Sequence, residues 1–420
     1  MADVPSPAVH RPARAALQHR DYNLFLWSRI LGSCGIEFQI TGVSWHVYQL
    51  TGAPFDLGMI GFAQFAPFFM LFLVSGAVAD RFPRTGILSV CSVMQTCCAL
   101  LLYVLTMTGT THFLLIFLVL VLLGIARAFQ SPAQQAIVPL LVPKEHFANA
   151  VAWTTSGTQG VRIGAPAVAG GLLLLGQTYV YGAALGCLAL SAMFTMLIRA
   201  NTQTVSTERP SWTTLVGGLT FIRSRPLILG TIALDLCAVF LGGATALLPI
   251  YAVEILQVGT VGFGCLRTAQ TVGALVCTLA LVRWPLARRA GVAMLGSVAF
   301  FGLATVVFGL STSFVLSLVA LVLMGAADAI SVFIRALVIQ IVPPDHMRGR
   351  VSAVNAVFIG ASNELGAFES GLTAAWWGTV PAVVVGGLGT IAIALLFFWR
   401  FPQMKRLDSL DHDTLIQQYR

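Results

Sequence analysis

The amino-acid sequence predicts an all-α membrane protein with twelve transmembrane helices in two pseudo-symmetric six-helix bundles. Three observations carry that expectation. Apolar residues make up 57% of the 420-residue chain and charged residues only 10%, more apolar surface than a water-soluble domain covers. The apolar residues fall into segments of about 20 residues or more, the length that crosses a ~30 Å hydrocarbon core. Finally, Val142-Pro143-Lys144-Glu145-His146 returns as Val342-Pro343-Pro344-Asp345-His346, 200 positions later, as a duplicated unit would.

In chain order, residues 1–20 form a Pro-, Arg- and Ala-rich tail with no apolar core, so no cleavable signal peptide is expected. Twelve spans follow at 22–49, 54–79, 86–107, 112–138, 147–175, 179–199, 226–254, 260–282, 290–311, 314–341, 351–377 and 380–400. The expected organisation is a tail at 1–20, a first bundle at 21–200, a linker at 201–225, a second bundle at 226–400 and a tail at 401–420. The linker carries a stretch, WTTLVGGLTFIRSRP, that reads as an amphipathic helix on the membrane surface. Arg81, Arg84, Lys144, Arg199, Arg223, Arg283, Arg348, Arg400 and Lys405 all sit at one face, and the opposite loops contain no Lys or Arg. That asymmetry places both termini in the cytoplasm. It also accounts for the net charge of +8 without nucleic acid as a partner. The eight cysteines lie in apolar segments without metal-ligand spacing. No phosphate-binding Gly-x-x-x-x-Gly-Lys loop and no His-Glu-x-x-His or Gly-x-Ser-x-Gly motif occurs. The expectation is a non-enzyme with no cofactor and no metal.

Ionisable side chains at bilayer depth need a partner or a wet cavity, so each is a candidate functional residue. In the first span Arg29, Ser33, Glu37, Thr41, Ser44 and Tyr48 recur every three or four residues and form one polar stripe. Glu37 near mid-depth is either a proton carrier or a structural acid paired with Arg29 or Arg127. The fourth span carries Arg127, with Ser131 and Gln134 on the same face. In the seventh, Asp235 shares a side with Thr231, Gly242, Thr245 and Pro249, and serves either a gate or proton coupling. The tenth places Ser317, Asp328, Ser331 and Arg335 together. Asp328 ranks beside Glu37 for proton coupling. Arg335 pairs either with it or with an acid from another helix. Arg162 and Arg267, in the fifth and eighth spans, attract an anionic ligand or pair with Glu37, Asp235 or Glu364. Glu364 and Glu369 point to nearly opposite sides of the eleventh span. Glu369 shares its side with Asn355, Ser362 and Thr373, and Glu364 has Gly360 and Gly371 nearby, so only one of the two faces the cavity and the spacing leaves open which.

Several local patterns resemble the major facilitator superfamily over nearly the whole chain. Gly76-Ala-Val-Ala-Asp80-Arg81-Phe82-Pro83-Arg84 is similar to its loop motif Gly-x-x-x-Asp-Arg-x-Gly-Arg-Arg, departing from it at Pro83 and Thr85. Arg127-Ala-Phe-Gln130-Ser131 resembles the fourth-helix motif Arg-x-x-Gln-Gly. Gly157, Gly160, Gly164, Pro166, Gly170 and Gly171 resemble the fifth-helix motif associated with antiporters, with its Gly-Pro-x-x-Gly-Gly core loosened. The opening ArgAspTyr…LeuPheLeu, the Tyr48-Gln49-Leu50-Thr51-Gly52 turn and Pro143-Lys-Glu-His are similar to the bacterial drug and siderophore exporter branch.

The resemblance implies alternating access in a bacterial inner membrane, with lipid, protons and a small amphipathic organic molecule (siderophore or drug-like) as partners. It implies export by proton antiport from a monomer. An importer of a metal–siderophore complex and a non-transporting sensor are the alternatives. It also implies that the fifth and eighth helices adjoin, as do the second and eleventh, and that Arg127 takes part in coupling. Gly76, Asp80, Arg81, Arg84 and Glu364 would form a conformational gate, and Gly160, Gly164, Pro166 and Gly170 a helix-5 hinge. Ser33, Thr41, Ser44, Tyr48, Ser131, Gln134, Arg162, Arg267, Ser331, Arg335 and Glu369 are the expected cavity residues.

Overall fold

A computed structural model describes residues 15–109, 113–200, 202, 212–284 and 289–408. The first bundle comprises α1 (Arg20–Thr51), α2 (Pro54–Arg81), α3 (Arg84–Met107), α4 (Phe113–Leu141), α5 (Phe147–Leu173) and α6 (Gln177–Met196). A short helix, α7 (Trp212–Ser224), leads to α8 (Pro226–Leu241). The chain then passes Gly242-Gly243 and continues as a 3-10 turn, α9 (Leu248–Ile250) and a π-helical turn over Tyr251–Ile255. Next come α10 (Gly259–Arg283), α11 (Ala290–Leu310), α12 (Phe314–Ile341), α13 (Asp345–Trp377), α14 (Thr379–Arg400) and α15 (Pro402–Lys405).

Among the described residues nine segments are long and apolar enough to cross a membrane by themselves, Pro226–Ile255 counting as one. The membrane-length helices outside that group are α1, α5 and α13, with 32, 27 and 33 residues. They contain the charged and amide side chains Arg29, Glu37, Gln39, Gln159, Arg162, Asn363 and Glu364, all of which line one cavity. Helices too polar to face lipid have been placed where they face water and each other.

The halves repeat one packing scheme. In the first, α2 packs on α4 and α3 on both α4 and α6; in the second, α10 packs on α12 and α11 on both α12 and α14. Two crossings join the bundles, α2 with α13 and α5 with α10, as the resemblance implies. Glycine makes both close. A Cβ on Gly170 would stand 2.9 Å from Gly264 Cα, and one on Gly371 would stand 2.6 Å from Gly58 Cα. In lipid no hydrophobic drive holds helices together, so such backbone-to-backbone approach supplies much of the adhesion.

These crossings lie near Gly58, Gly170, Gly264 and Gly371, toward one end of the molecule. There a continuous apolar core draws on both bundles, including Trp45, Leu57 and Tyr181 from the first and Leu247, Tyr251 and Phe263 from the second. Toward the other end two cores are separate. One, around Phe25, Leu88, Ile137 and Leu141, belongs to the first bundle. The other, around Ile228, Met294, Ile334 and Val338, belongs to the second. The molecule is therefore sealed at the face of the uncharged loops and parted at the face carrying the arginine-rich loops.

At the parted face the described ends are tied to their own bundles. Tyr22 Oη donates to Ala150 O at 2.7 Å, and His19 Nε2 meets His146 Nδ1 at 3.0 Å. After α15, Gly291 N donates to Leu407 O at 2.9 Å. The linker helix α7 rests on α13, with Gly218 against Arg350 O and Val354. Replacing Gly264 by Leu should wedge α5 from α10 and weaken the seal. We expect Gly264→Leu to increase reactivity of a cysteine placed at Thr245 toward a thiol reagent added from the sealed side, with little change in thermal stability.

Candidate functional site

Between the bundles lies a cavity of about 830 Å³, lined by Arg29, Ser33, Glu37, Arg127, Ser131, Gln134, Arg162, Arg267 and Glu364 among others. It is continuous, through walls shared at Glu37, Arg127, Arg162, Arg267, Asn363 and Glu364, with an extension of about 360 Å³ that reaches Ser44, Leu57 and Thr245 beneath the seal. Helices α1, α4, α5, α10 and α13 present these groups.

Two ion pairs cross the cavity from bundle to bundle. Arg127 Nη1 of α4 lies 2.7 Å from Glu364 Oε1 of α13, and Arg267 Nη2 of α10 lies 3.6 Å from Glu37 Oε2 of α1. Each bundle contributes one cation and one anion, so the pairs are reciprocal. Both adjoin the seal: Gly61 of α2 packs against the Glu364 backbone, and Arg267 rests over the Phe263 ring at 6.0 Å. The Arg127 guanidinium also lies 5.7 Å from the Phe68 ring. Arg29 is held by Gln134 Oε1. Arg162 is exposed to the cavity, has no acidic partner among the described residues, and lies in electrostatic range of Arg29. Four arginines thus face two glutamates, leaving two positive charges in excess around Arg29 and Arg162.

Not every residue of the α1 stripe faces this space. Thr41 is fully buried and donates to Glu37 O at 2.7 Å. Each four-residue step advances about 40° beyond a full turn, so by Thr41 the stripe has rotated to its edge and the hydroxyl is satisfied within the helix. Tyr48 lies past the seal, where its hydroxyl donates to Glu254 Oε1 at 2.9 Å, joining α1 to the π-helical turn of the other bundle. Ser33 and Ser44 line the cavity and its extension.

The structure decides between the two α13 acids, against Glu369 as a cavity residue. Glu364 faces the cavity and Arg127, whereas Glu369 is absent from both cavity walls. The crossing with α2 decides this: Gly58 and Gly61 meet the carbonyls of Phe368 and Glu364, which orients α13 with Asn363 and Glu364 inward. Ser331 and Arg335 also differ from expectation. They line no part of this cavity and instead lie inside the second bundle, where Arg335 Nη1 is ion-paired with Asp235 Oδ2 and both side chains are about 95% buried. Asp328 adjoins the same cluster. Arg335 is thus partnered by an acid from another helix.

The loop and hinge expectations map as follows. Gly76 is half-buried, Arg81 is exposed, and the Asp80 side chain lies outside the described residues. Arg84 donates to Ala136 O at 2.7 Å, a contact inside its own bundle. Of the expected gate residues, Arg84 therefore contacts α4 of its own bundle, and Glu364 is paired across the bundles with Arg127. A Cβ at Gly160 or Gly164 would meet nothing within 4 Å, while Pro166 and Gly170 bear directly on Gly264. The last two are packing positions against α10 within a continuous helix.

Besides Gln134, which helical spacing already places beside Arg127, further amides face the cavity. Gln39, Gln64, Gln95, Gln130, Gln159 and Asn363 all line the cavity. Gln95 Nε2 donates to Gln130 Oε1 at 2.9 Å, while the Gln39 amide is buried with no hydrogen-bond partner. Gln130 and Gln159, three residues from Arg127 and Arg162 respectively, were detectable by helical spacing.

Comparison with known proteins gives this architecture a family. Residues 13–419 match the family model described as transmembrane secretion effector. The chain is 23% identical over 395 residues to the enterobactin exporter of Citrobacter koseri, covering 92% of this chain and 93% of that one. It is 23% identical over 388 residues to the staphyloferrin A transporter of Staphylococcus aureus, covering 88% and 94%. The fold matches the crystal structure of a point mutant of the nucleoside transporter NupG with a TM-score of 0.71 at 14% identity, covering 91% of this chain and 100% of that one. The chain belongs to the transmembrane secretion effector family of the major facilitator superfamily.

Proposed function

We propose that this protein is a secondary transporter that exports a small amphipathic organic anion of the siderophore type in exchange for protons. One observation carries the reading: a cavity between two bundles, open at the arginine-rich face, in which Arg162 and Arg29 have no acidic partner. An anion with apolar rings or chains suits such a site. Guanidinium groups bind carboxylate or catecholate oxygens in pairs, and Ile36, Ile40 and Leu123 offer apolar wall. The relatives, an enterobactin exporter and a staphyloferrin A transporter, agree with this class. By the positive-inside rule the open face is cytoplasmic, with both termini on that side of a bacterial inner membrane. The functional unit is a monomer.

The crossed ion pairs supply a lock for the unloaded carrier. Opening the sealed side separates the bundles near Gly61 and Phe263, and so pulls Arg127 from Glu364 and Arg267 from Glu37. An anion that takes over the arginines, or protons that neutralise the glutamates, each remove the reason for those pairs to hold. Two ligands that separately release one lock, from opposite faces, produce exchange. Arg127 and Glu37 act as coupling residues because they take part in that lock, and Gln134, Ser131 and Ser33 position the ligand beside it.

Three outcomes follow. Arg162→Gln should weaken binding of a carboxylate or catecholate ligand to purified protein by about tenfold or more, the value of one charge-assisted hydrogen bond. Binding of a cationic amphiphile should be unchanged or tighter, as titration calorimetry would show. Glu37→Gln with Glu364→Gln should bind the anion more tightly yet lose pH-gradient-driven flux in proteoliposomes. In inside-out vesicles, labelled ligand should accumulate when the lumen is acidic. Accumulation only in right-side-out vesicles would reverse the direction proposed.

A further inference from the structure

A second polar site lies inside the second bundle, away from the arginine cavity. Asp235 of α8 and Arg335 of α12 form an ion pair with side chains only 6% and 5% exposed. Asp328, two helical turns before Arg335, lies in electrostatic range of both. Two carboxylates therefore share one guanidinium. A void of about 10 Å³ separates them, lined by Asp235, Asp328 and Ser331 with Ala238, Val298 and Phe301. Ser331 is 2% exposed, and its hydroxyl has no hydrogen-bond partner among the described residues. A buried hydroxyl left unpaired beside a surplus carboxylate is an incomplete arrangement; the missing component carries positive charge and a hydrogen-bonding function.

Among the described residues, no other cation of the neighbouring helices lines the void. No titratable residue occurs in α11. On α10, Arg267 is turned to Glu37, Arg283 ends the helix, and the remaining titratable groups are Cys265 and Cys277. On α13, Glu364 is committed to Arg127, and Glu369 has Ser370 beside it. Arg348 and Arg350 stand near the start of that helix, and α14 carries only Arg400 at its end. Cys237 is the remaining titratable residue of α8. The void is close to the smallest space that admits one water molecule, and Arg335 already repels a metal cation.

We propose that Asp235, Asp328, Ser331 and Arg335 form a proton-binding site separate from the ligand cavity, in which one proton on Asp328 completes the cluster. The site rests on the transport reading for its purpose but not for its existence. A proton taken from water forms an O–H bond at the Asp328 carboxylate and returns to water on release; no electron moves. Protonated Asp328 gives the Ser331 oxygen a donor and leaves Asp235 wholly to Arg335. Deprotonated, it competes for the guanidinium and loosens the tie between α8 and α12. Helix α8 carries that change. Beyond Asp235 it reaches Gly242-Gly243, where Gly243 packs against Gly366 of α13, and then the turn that holds Glu254 against Tyr48 at the seal.

The test uses full-length protein, because infrared difference spectra over a pH titration need no substrate. The wild type should show a protonated-carboxyl band that titrates, is absent in Asp328→Asn and shifts in Asp328→Glu. In Ser331→Ala, which leaves every charge in place, the band should move in frequency and persist. In proteoliposomes Asp328→Asn should lose about tenfold or more of pH-gradient-driven flux, while gradient-free exchange and anion affinity stay within about twofold of wild type. An unchanged band and unchanged gradient-driven flux in folded Asp328→Asn would overturn the proposal. So would a band abolished by sodium at constant pH, which would make the site a metal-cation site. Loss of the band in Asp328→Asn, with no ligand transported by any variant, would uphold the site and reject the transport reading.

Discussion

Charge at bilayer depth is the constraint on which this structure depends. A guanidinium or carboxylate among lipid tails costs several kcal/mol (about 2.5–3.5 on insertion scales), so each such group must be wetted or paired. The chain does both, in different places. Around the inter-bundle cavity, Arg127, Arg267, Glu37 and Glu364 pair across the divide and remain partly hydrated. Inside the second bundle, Asp235 and Arg335 pair in a dry site. The first kind of pair is easily exchanged, because water and ligand can replace either partner. The second kind is costly to break, since a buried ion left alone loses roughly 3–5 kcal/mol.

That difference divides the labour of the fold. The hydrated pairs lie between the bundles, beside the seal. The dry pair joins α8 to α12 within one bundle, which gives the second bundle an internal connection between its core and the seal. Glycine contacts make the surface at which the bundles meet. Gly58 with Gly371 and Gly170 with Gly264 bring backbones together without interlocked side chains, a surface that separates without dismantling a packed core. Below them the cores of the two bundles are independent, and each can move as a body.

The asymmetry of the cavity follows from the same accounting. Reciprocal pairing balances two arginines with two glutamates, leaving Arg29 and Arg162 as the surplus. Amides fill much of the remaining wall. Amides carry both donor and acceptor and hold no net charge, so they satisfy a varied ligand and leave the sign of the site to the arginines.

Much of this was written in the chain itself. Segment length and apolar content determined the helical membrane architecture, because bilayer thickness sets a length that composition reveals directly. The repeat at Val142 and Val342 determined the duplication, and the buried ions marked which helices could not face lipid. Partnership was decided only by tertiary structure. Helical spacing reports which residues share a face of one helix, but says nothing of the rotation of that helix against its neighbours. Hence spacing puts Glu364 and Glu369 on opposite sides of α13, and only the α2 crossing decides which of them faces the cavity. Likewise Arg335, a plausible cavity residue by spacing with Asp328, took its partner from α8. Which acid meets which arginine is a property of how helices distant in sequence lie against one another, and no local pattern encodes it.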